Sequence, residues 1–555
     1  MMTEEVGVKA ALEMGYGMDE LRSMNWDEFI AVTKLEPRTI KITQKGKSYA
    51  CLDVAYWDPD KKASTHRRKT IGYYDENDNL VLTGSELDTR PRTKPKPEVY
   101  AYTKEIGNTI LLQTIAENIG LEHIVNDVFG DDAPAIMTCV YYLVSHSDAL
   151  CHCEQWSAGS ITPIGERLGD QRISELLLKI DENRRELFFQ KWLEELGDDD
   201  NYALDITSIS SYAEGIIQVR AGYNRDKEDL EQINLALLVG SKSRLPGYYK
   251  IIPGNINDKT TLKRFVRILK AHGFSKFSLV TDKGFYTKEN IDELYRMHLR
   301  FLIGVENRIT FASETIDRVR DSIERFDNFH QHGSSSLYCT TETQQWVVNG
   351  KNHRCYVHVF FDPQKKHDDE AHFREKLNKV RKGILEGDEA VASSNMAKKY
   401  FIVTKGKGST NVRANQEAID EHNRNCGFLV LISNHIKDAH DALDIYREKE
   451  TAESGFDDMK NEMDFKRLRI HTEPSMDGKI FLAFLSLIIR LAMSNVMLAN
   501  ADLCNRSRRE VFEEMSLLRK TVIDGKNTLY TERTKLQKQV IKAFGIKTPF
   551  RDMIE

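Results

Sequence analysis

Tyr202-Ala-Leu-Asp-Ile-Thr-Ser-Ile-Ser-Ser211 is the stretch of this 555-residue chain that decides its fold class. Apolar and β-branched residues dominate it, as in a core β-strand. Asp205 interrupts the apolar run, and a buried carboxylate is costly unless it meets a cation or another partner. The stretch therefore predicts a core strand that carries a carboxylate with a role beyond packing.

The pattern that follows this strand predicts an α/β domain. Two more strands are expected first, then a helix over residues 259–272, a strand beginning at Phe277, a second helix and a last strand. Asp282 comes where the strand from Phe277 runs into a glycine-containing loop, a usual location for an active-site residue in an α/β protein. This order resembles the ribonuclease-H-like fold. The resemblance implies that Asp205 and Asp282 face one another near the centre of the sheet.

A second informative stretch is Asp444-Ile-Tyr-Arg-Glu-Lys-Glu-Thr-Ala-Glu-Ser-Gly-Phe-Asp-Asp-Met-Lys460. As a single α-helix, at about 100° per residue, it places four polar side chains within an arc of roughly 60°. These are Tyr446, Lys449, Glu453 and Lys460. An apolar seam lies on the neighbouring arc and consists of Ile445, Ala452, Phe456, Met459 and Met463. Periodicity alone is also typical of a solvated charged face beside a core face.

The spacing of the four polar residues closely resembles the Tyr-x2-Arg-x3-Glu-x6-Lys signature of a large group of bacterial insertion-sequence DDE transposases. The resemblance extends over about residues 100–500. Two positions depart from the family: Lys449 stands where the signature has Arg, and Lys283 follows Asp282 where the family usually has Asp-Arg-Gly. Lysine keeps the charge but lacks the planar fork that binds phosphate bidentately. Neither departure replaces a carboxylate.

The resemblance implies that Asp205, Asp282 and Glu453 are both the catalytic residues and the metal ligands. A site made only of oxygen ligands suits Mg²⁺, with Mn²⁺ as a substitute. Two ions about 3.5–4 Å apart would serve phosphodiester chemistry. The resemblance further implies cleavage at the terminal inverted repeats of an insertion sequence and transfer of the 3′-OH ends to target DNA. The expected partners are these two DNAs and a second copy of the chain in a homodimer.

Several basic residues and one tyrosine are expected to contact DNA. One group belongs to the helix and the loop after Asp282, and the other belongs to a basic hairpin and a proline-spaced basic linker near the N-terminus. The predicted contacts are Tyr446, Lys449, Lys460, Lys283, Arg67, Arg68, Lys69, Arg90, Arg92 and Lys94. The hairpin is equally consistent with a solvated surface.

The patterns along the chain predict five parts. Residues 1–98 form a small β-sheet domain and linker, and residues 99–200 form a helical module. Residues 201–305 and 427–500 form the ribonuclease-H-like catalytic domain, which a β-rich insertion of residues 306–426 interrupts. A helical tail of residues 501–555 follows. The fold class is thus α/β with additional modules.

Composition limits the function classes. With 40% hydrophobic and 30% charged residues, the chain is typical of a soluble globular protein. A net charge of −6 argues against a protein that simply coats nucleic acid. The eight cysteines include no CxxC pair, which predicts reduced thiols. No signal peptide is evident, and a cytoplasmic, nucleoid-associated location in a bacterium is expected.

Two alternatives remain open besides the transposase. The first is a ribonuclease-H-like nuclease that hydrolyses nucleic acid without strand transfer. The second is a DNA-binding regulator that derives from a transposase and no longer catalyses. Joining of a cut 3′-end to a second duplex distinguishes the first alternative. The presence of all three carboxylates argues against the second, because a non-catalytic protein has no need of them.

Overall fold

The computed structural model describes residues 7–44, 46–82, 100–146, 148–197, 201–256, 258–271, 277–332, 335–406, 409–463, 465–525 and 527–547. The chain divides into two compact units, Met1–Val99 and Tyr100–Glu555. The predicted contacts Arg90, Arg92 and Lys94 lie outside the described residues.

The first unit combines three short helices with an antiparallel sheet. Its elements are α1 (Val8–Glu13), α2 (Met18–Ser23), α3 (Trp26–Thr33), β1 (Arg38–Gln44), β2 (Lys47–Asp58), β3 (Ala63–Tyr74) and β4 (Leu80–Leu82). The strands pair in the order β1-β2-β3-β4. Phe29 and Val54 are buried between helices and sheet. The predicted sheet is therefore present, with one short strand more than expected.

The second unit begins with a strand and six helices. They are β5 (Ala101–Glu105), α4 (Gly107–Asn118), α5 (Leu121–Phe129), α6 (Ala133–Ser145), α7 (Cys153–Gly159), α8 (Asp170–Lys179) and α9 (Glu182–Leu196). The region is thus mostly helical, although it opens with the strand β5. The next elements are β6 (Asn201–Ser210), β7 (Gln232–Gly240), β8 (Pro246–Pro253), α10 (Asp258–Ala271), β9 (Ser278–Thr281), α11 (Lys288–Arg296) and β10 (Arg300–Val305). Their type and order are those predicted.

The inserted region is less β-rich than predicted. It contains α12 (Thr310–Val319), β11 (Phe329–His332), β12 (Ser335–Val348), β13 (Lys351–Phe361), α13 (Pro363–Glu386), α14 (Glu389–Ser393), α15 (Asn395–Tyr400), β14 (Phe401–Gly406), β15 (Ser409–Ala414) and α16 (Gln416–Asn423). The helices of its second half enclose a small core that includes Phe373, Tyr400 and Val412. Its long strands do not stand apart, because they pair with the sheet of the core.

The chain then returns to the core and ends in a mixed tail. These elements are β16 (Phe428–Ser433), α17 (Ala439–Arg447), α18 (Glu450–Asp457), a π-helical segment (Asp458–Glu462), α19 (Glu473–Ala499), α20 (Arg508–Ser516), β17 (Arg519–Ile523), β18 (Asn527–Tyr530) and α21 (Lys535–Phe544). The all-helical tail was a wrong prediction. Thr521, Val522 and Ile523 are β-branched, and their strand pairs antiparallel with β5 and β18.

One nine-stranded sheet organises the second unit. Its order is β11-β12-β13-β16-β10-β9-β6-β7-β8. The strands β6, β9 and β10 are parallel to one another, whereas β7 and β8 add antiparallel strands at one side. On the other side, β16 joins β10 and β13 in antiparallel pairing. The insertion thus extends the core sheet instead of forming a separate β domain.

The helix α19 is the buried axis of the second unit. It packs against α6 and α8, and its residues from Ile480 to Arg490 are all buried. Among the described residues it is the one helix long and apolar enough to cross a membrane by length and composition. However, 83% of its apolar window is buried inside the protein, as in a core helix.

A glycine permits the close packing of α19 on α8. A Cβ atom added at Gly478 would lie 2.4 Å from the carbonyl oxygen of Leu177. Since that neighbour is backbone, Gly478→Ala is expected to destabilise the fold by about 1–3 kcal/mol despite the better helix propensity of alanine. The midpoint of denaturant unfolding measures this cost. Gly159→Ala is the matched control, because nothing lies within 4 Å of its added Cβ. Equal stability of the two variants would contradict the prediction.

Candidate active site

Asp205 and Asp282 occupy equivalent positions on neighbouring parallel strands. The last paired residues of β6 and β9 are Leu204 and Thr281; Asp205 is the next residue of β6, and Asp282 directly follows β9. Adjacent strands lie about 4.8 Å apart. The two carboxylates therefore emerge side by side at the carboxyl end of β9, as predicted.

Glu453 reaches the same edge of the sheet from α18. This helix packs on β6 and β7 through the predicted apolar seam, of which Ala452 and Phe456 are buried. The side chain of Glu453 is 50% exposed. Burial of the seam thus orients the neighbouring, polar face of α18 toward the edge of the sheet that carries the two aspartates.

The prediction of a single helix over residues 444–460 is wrong, because the helix is interrupted before α18 and changes to the π-helical segment after it. At the interruption, the amide of Lys449 donates to the carbonyl of Tyr446, 3.3 Å away, in a tight i→i−3 turn. Such a turn brings side chains three residues apart into line. Accordingly, the ammonium of Lys449 lies 5.4 Å from the ring centroid of Tyr446.

Tyr446 contacts a catalytic candidate directly. Its hydroxyl donates a 2.8 Å hydrogen bond to Oδ1 of Asp282. Burial raises the pKa of Tyr446, and the nearby charges of Asp282, Glu453 and Asp205 raise it further. The tyrosine therefore stays protonated and acts as a hydrogen-bond donor at this site.

Lys449 lies among the three carboxylates. Its ammonium donates to Oε1 of Glu453. Burial lowers the pKa of Lys449, but Glu453, Asp282 and Asp205 together raise it above the ordinary value. The pKa of Asp205 is raised to about 6, first by burial and then by the charge of Glu453. The negative charges of Asp205, Asp282 and Glu453 thus all act on one cation, the ammonium of Lys449.

The donor set suits a hard divalent cation, because all its atoms are carboxylate oxygens. In the described part of the chain, no group of three or more His, Cys, Asp or Glu side chains stands close enough to hold a metal ion. Lys449 contributes to this separation of the carboxylates, because its ammonium is hydrogen-bonded to Glu453. The three carboxylates have the chemistry that a divalent cation requires, and they lie at the same edge of the sheet. To bind a metal ion, Glu453 must leave the ammonium of Lys449.

Lys460 does not lie on the same helix face as Tyr446, Lys449 and Glu453. It lies in the π-helical segment, whose wider turn redirects its side chain. Its ammonium bonds both carboxylate oxygens of Asp226, at 2.9 and 2.7 Å, and only 10% of the side chain is exposed. Lys460 therefore ties the end of the glutamate helix to the loop between β6 and β7, and its predicted position on a DNA-gripping stripe is wrong.

A cleft of about 1180 Å³ opens beside Glu453. The exposed Lys283 lines it together with Tyr446, Lys449 and Glu453. Further lining residues belong to the insertion, among them Lys376 of α13. The cleft thus brings basic groups near Glu453.

The basic hairpin residues of the first unit all have internal partners. Arg67 donates a 2.8 Å bond to the carbonyl of Leu21 and lies 4.4 Å over the ring of Phe29. Arg68 pairs with Asp53 and Lys69 with Asp27, each at 2.8 Å. Arg67 thus stabilises the unit, Arg68 pairs with the nearly buried Asp53, and Lys69 forms an exposed ion pair.

Two residues of the site escaped the sequence analysis. A Cβ atom at Gly304 of β10 would lie 3.0 Å from the hydroxyl of Tyr446 and 3.0 Å from the amide nitrogen of Lys283. Its signal was available, because an isolated glycine within an apolar strand indicates close approach of another group. Arg225, whose charge lowers the pKa of Asp205, lies in a loop without regular pattern and had no comparable signal.

Comparison with known proteins places these residues in a family. The model of the family described as "Transposase DDE domain" matches residues 197–489. No curated protein matches the chain. Among solved structures, the cryo-EM structure of a piggyBac transposase synaptic complex with hairpin DNA is 11% identical, with a TM-score of 0.35 and coverage of 80% of either chain. The family match spans more than half of the 555 residues and includes all three carboxylates, and the chain therefore belongs to the transposase DDE domain family.

Proposed function

We propose that this protein is a DNA transposase that cleaves at the terminal inverted repeats of an insertion sequence and transfers the 3′-OH ends to target DNA. The observation that carries the proposal is that Asp205 and Asp282 lie next to each other on neighbouring strands and that the charge of Glu453 acts on Asp205. Membership of the DDE family supports it. The spacing of Tyr446, Lys449, Glu453 and Lys460 favours the bacterial group with the Tyr-Arg-Glu-Lys signature.

The proposed core is ribonuclease-H-like. Numbered along the chain from β6, five strands of the sheet have the order 3-2-1-4-5, with the first, fourth and fifth parallel. This order supports the proposal because it brings the strands of the two aspartates together. The insertion then leads from β10 to β16 before the chain returns with the glutamate.

Asp205, Asp282 and Glu453 would hold two Mg²⁺ ions, with Mn²⁺ as a substitute. The ions, when bound, would activate water or a DNA 3′-hydroxyl and stabilise the leaving oxygen. Tyr446 orients Asp282 through its hydroxyl. Lys449 neutralises Glu453 in the metal-free chain and becomes available to a DNA phosphate once Glu453 changes partner.

The remaining predicted DNA contacts differ in how readily they could bind a DNA phosphate. Lys283 is exposed beside Asp282 and is well placed for a phosphate. Lys69 can exchange its partner for DNA, since an exposed ion pair contributes only about 0–1 kcal/mol, whereas Arg68 would have to leave the nearly buried carboxylate of Asp53. Arg90, Arg92 and Lys94 remain predictions. A homodimer that holds both DNA ends, in the bacterial cytoplasm near the nucleoid, completes the proposal.

Strand transfer is the experiment that tests this function. A duplex from the end of the encoding element, labelled on the transferred strand, is incubated with the protein, Mg²⁺ and a supercoiled target plasmid. Joined product is the expected result. Cleavage at the end without joining would favour the nuclease, and binding without cleavage would favour the regulator. Either of those results would overturn the transposase proposal.

Tyr446→Phe tests the orienting hydrogen bond. A hydrogen bond to a charged group contributes about 1.5–3 kcal/mol, and each 1.4 kcal/mol corresponds to about tenfold in rate. We therefore expect cleavage about tenfold slower or more, with unchanged binding of the DNA end. Single-turnover cleavage rates and a gel-shift assay measure the two quantities. Tyr356→Phe is the control, since that tyrosine is likewise nearly buried. A wild-type cleavage rate in Tyr446→Phe would show that the bond has no part in the reaction.

A further inference from the structure

The sheet of the first unit has one face that its helices cover and one that is open. Val54 is buried in one cluster with Phe29 of α3. The ring of Phe29 also lies 5.3 Å from that of Tyr56 and 4.4 Å from the guanidinium of Arg67. Since side chains alternate along a strand, the residues next to these three point away from the helices. Five exposed residues on that side of β2 and β3 define what we call the open face: Ala55, Trp57, Ser64, His66 and Arg68.

The open face belongs to a two-stranded ribbon. β1 pairs with residues 47–53 of β2, and β4 pairs with residues 72–74 of β3. Between these limits, residues 54–58 of β2 and 63–67 of β3 pair only with each other among the described strands. The major groove of B-DNA is about 12 Å wide and admits a two-stranded β-ribbon. The width of the ribbon therefore suits this groove, with the helices on the side away from the DNA.

A nearly buried carboxylate holds two side chains of the open face. Asp53 lies opposite Arg68 in the strand pairing, and its side chain is 11% exposed. It accepts a 2.8 Å hydrogen bond from Nε of Arg68 and a 2.9 Å hydrogen bond from Nδ1 of His66. Within the described residues, the two terminal nitrogens of Arg68 have no hydrogen-bond partner. Arg68 can therefore donate to a ligand without leaving Asp53, which fixes the direction of its guanidinium.

Positive charge surrounds the open face. Lys61 and Lys62 are exposed in the turn between β2 and β3, and Arg38 is exposed on β1, directly opposite Asp53. The carboxylate of Asp53 is already bonded to Arg68 and His66, and Asp60 of the same turn is bonded to an arginine of α2. Cations thus outnumber the carboxylates here, which is the charge balance that a polyanion such as DNA requires.

We propose that the open face of the β2–β3 ribbon binds the major groove of the element-end duplex, with Arg68 and Trp57 in contact with base edges. A guanine suits Arg68, because its N7 and O6 accept two bonds from one guanidinium. The ring of Trp57, which is 60% exposed, suits the methyl group of a thymine. Arg38, Lys61 and Lys62 bind the flanking phosphates. This inference rests on the proposed function, because the DNA is the end that the proposed reaction cleaves.

The test measures the affinity of the full chain for the element-end duplex and for a scrambled duplex of equal length by fluorescence anisotropy. Arg68→Gln should lower the affinity for the element end about tenfold more than that for the scrambled duplex, because a bidentate base contact discriminates between sequences. Trp57→Ala should act in the same direction. Each guanine is then replaced in turn by 7-deazaguanine, which lacks the N7 acceptor. One replacement should weaken binding by wild type but not by Arg68→Gln, because the two changes remove one interaction.

Lys41→Gln is the matched control. Lys41 lies three residues after Arg38 on β1, hence on the side away from the open face, and is bonded to Asp78. Its substitution removes one positive charge, as Arg68→Gln does, and should leave both affinities unchanged. Thermal unfolding of all three variants should match wild type.

The outcomes distinguish this inference from the proposed function. If wild type binds and cleaves the element end, equal losses of Arg68→Gln on the two duplexes would overturn the contact with base edges. Unchanged affinities in both Arg68→Gln and Trp57→Ala would overturn the role of the open face. Wild type that neither binds nor cleaves the element end would count against the proposed function itself.

Discussion

Glu453→Gln is expected to lower the rate of DNA cleavage by more than about 100-fold. The amide keeps the size of the side chain and one oxygen but removes the negative charge that a divalent cation requires. Even partners of metal ligands typically contribute 10–100-fold to activity, so loss of a ligand should cost more. Binding of the DNA end should persist, because the neutral amide would no longer hold Lys449 by charge. Single-turnover cleavage and gel-shift assays measure the two effects.

Glu450→Gln provides the matched control. Glu450 lies one turn before Glu453 in α18, is exposed and lines the same cleft. Its substitution changes the net charge equally but touches no proposed ligand, so near wild-type cleavage is expected. Comparable loss in the two variants would mean that the helix contributes general charge instead of a metal ligand.

Asp458→Ala is expected to destabilise the second unit by about 3–5 kcal/mol. Asp458 and Arg490 are 5% and 2% exposed. Asp458 accepts a hydrogen bond from Arg508 and lies 3.9 Å from Arg490. Removing the carboxylate would leave two arginines facing each other in the interior, and breaking a buried ion pair from one side costs about this amount. Denaturant unfolding measures the change.

The comparison variant is Glu513→Ala. Glu513 pairs with Arg509 at 2.7 Å, but both side chains are largely exposed, so the expected cost is about 1 kcal/mol or less. Asp458 directly follows α18, and its loss should therefore also slow cleavage. A cost for Asp458→Ala as small as that for Glu513→Ala would show that solvent reaches the cluster.

The sequence allowed the core strands to be predicted because their apolar runs are long and their turns are marked. It also allowed the adjacent positions of Asp205 and Asp282 to be anticipated. The prediction of an all-helical tail was wrong because β17 and β18 have only five and four residues, too few for a periodic signal. The insertion was misjudged because pairing of β13 with β16 joins segments more than 60 residues apart, which local patterns do not encode.

The site was predictable in its carboxylates but not in its contacts. Side-chain direction on the glutamate helix depends on the tight turn before Lys449 and on the π-helical segment at Lys460. Lys460, moreover, is bonded to Asp226 of a distant segment, a tertiary contact that ideal helical spacing ignores. The position of Arg225 could not be predicted, because tertiary hydrogen bonds to β6 determine where its loop lies. The spacing of a motif thus indicates the residue set, while packing decides which atoms meet.

The most direct test of the central claim is to map a bound metal onto the chain. Fe²⁺ replaces Mg²⁺ in the complex with the element-end duplex, and hydroxyl radicals generated at the metal cut the backbone nearby. We predict simultaneous cuts near Asp205, Asp282 and Glu453, all lost in Asp205→Asn and suppressed by excess Mg²⁺. Cuts that omit the glutamate helix, or that persist in Asp205→Asn, would contradict a single metal site formed by these three carboxylates.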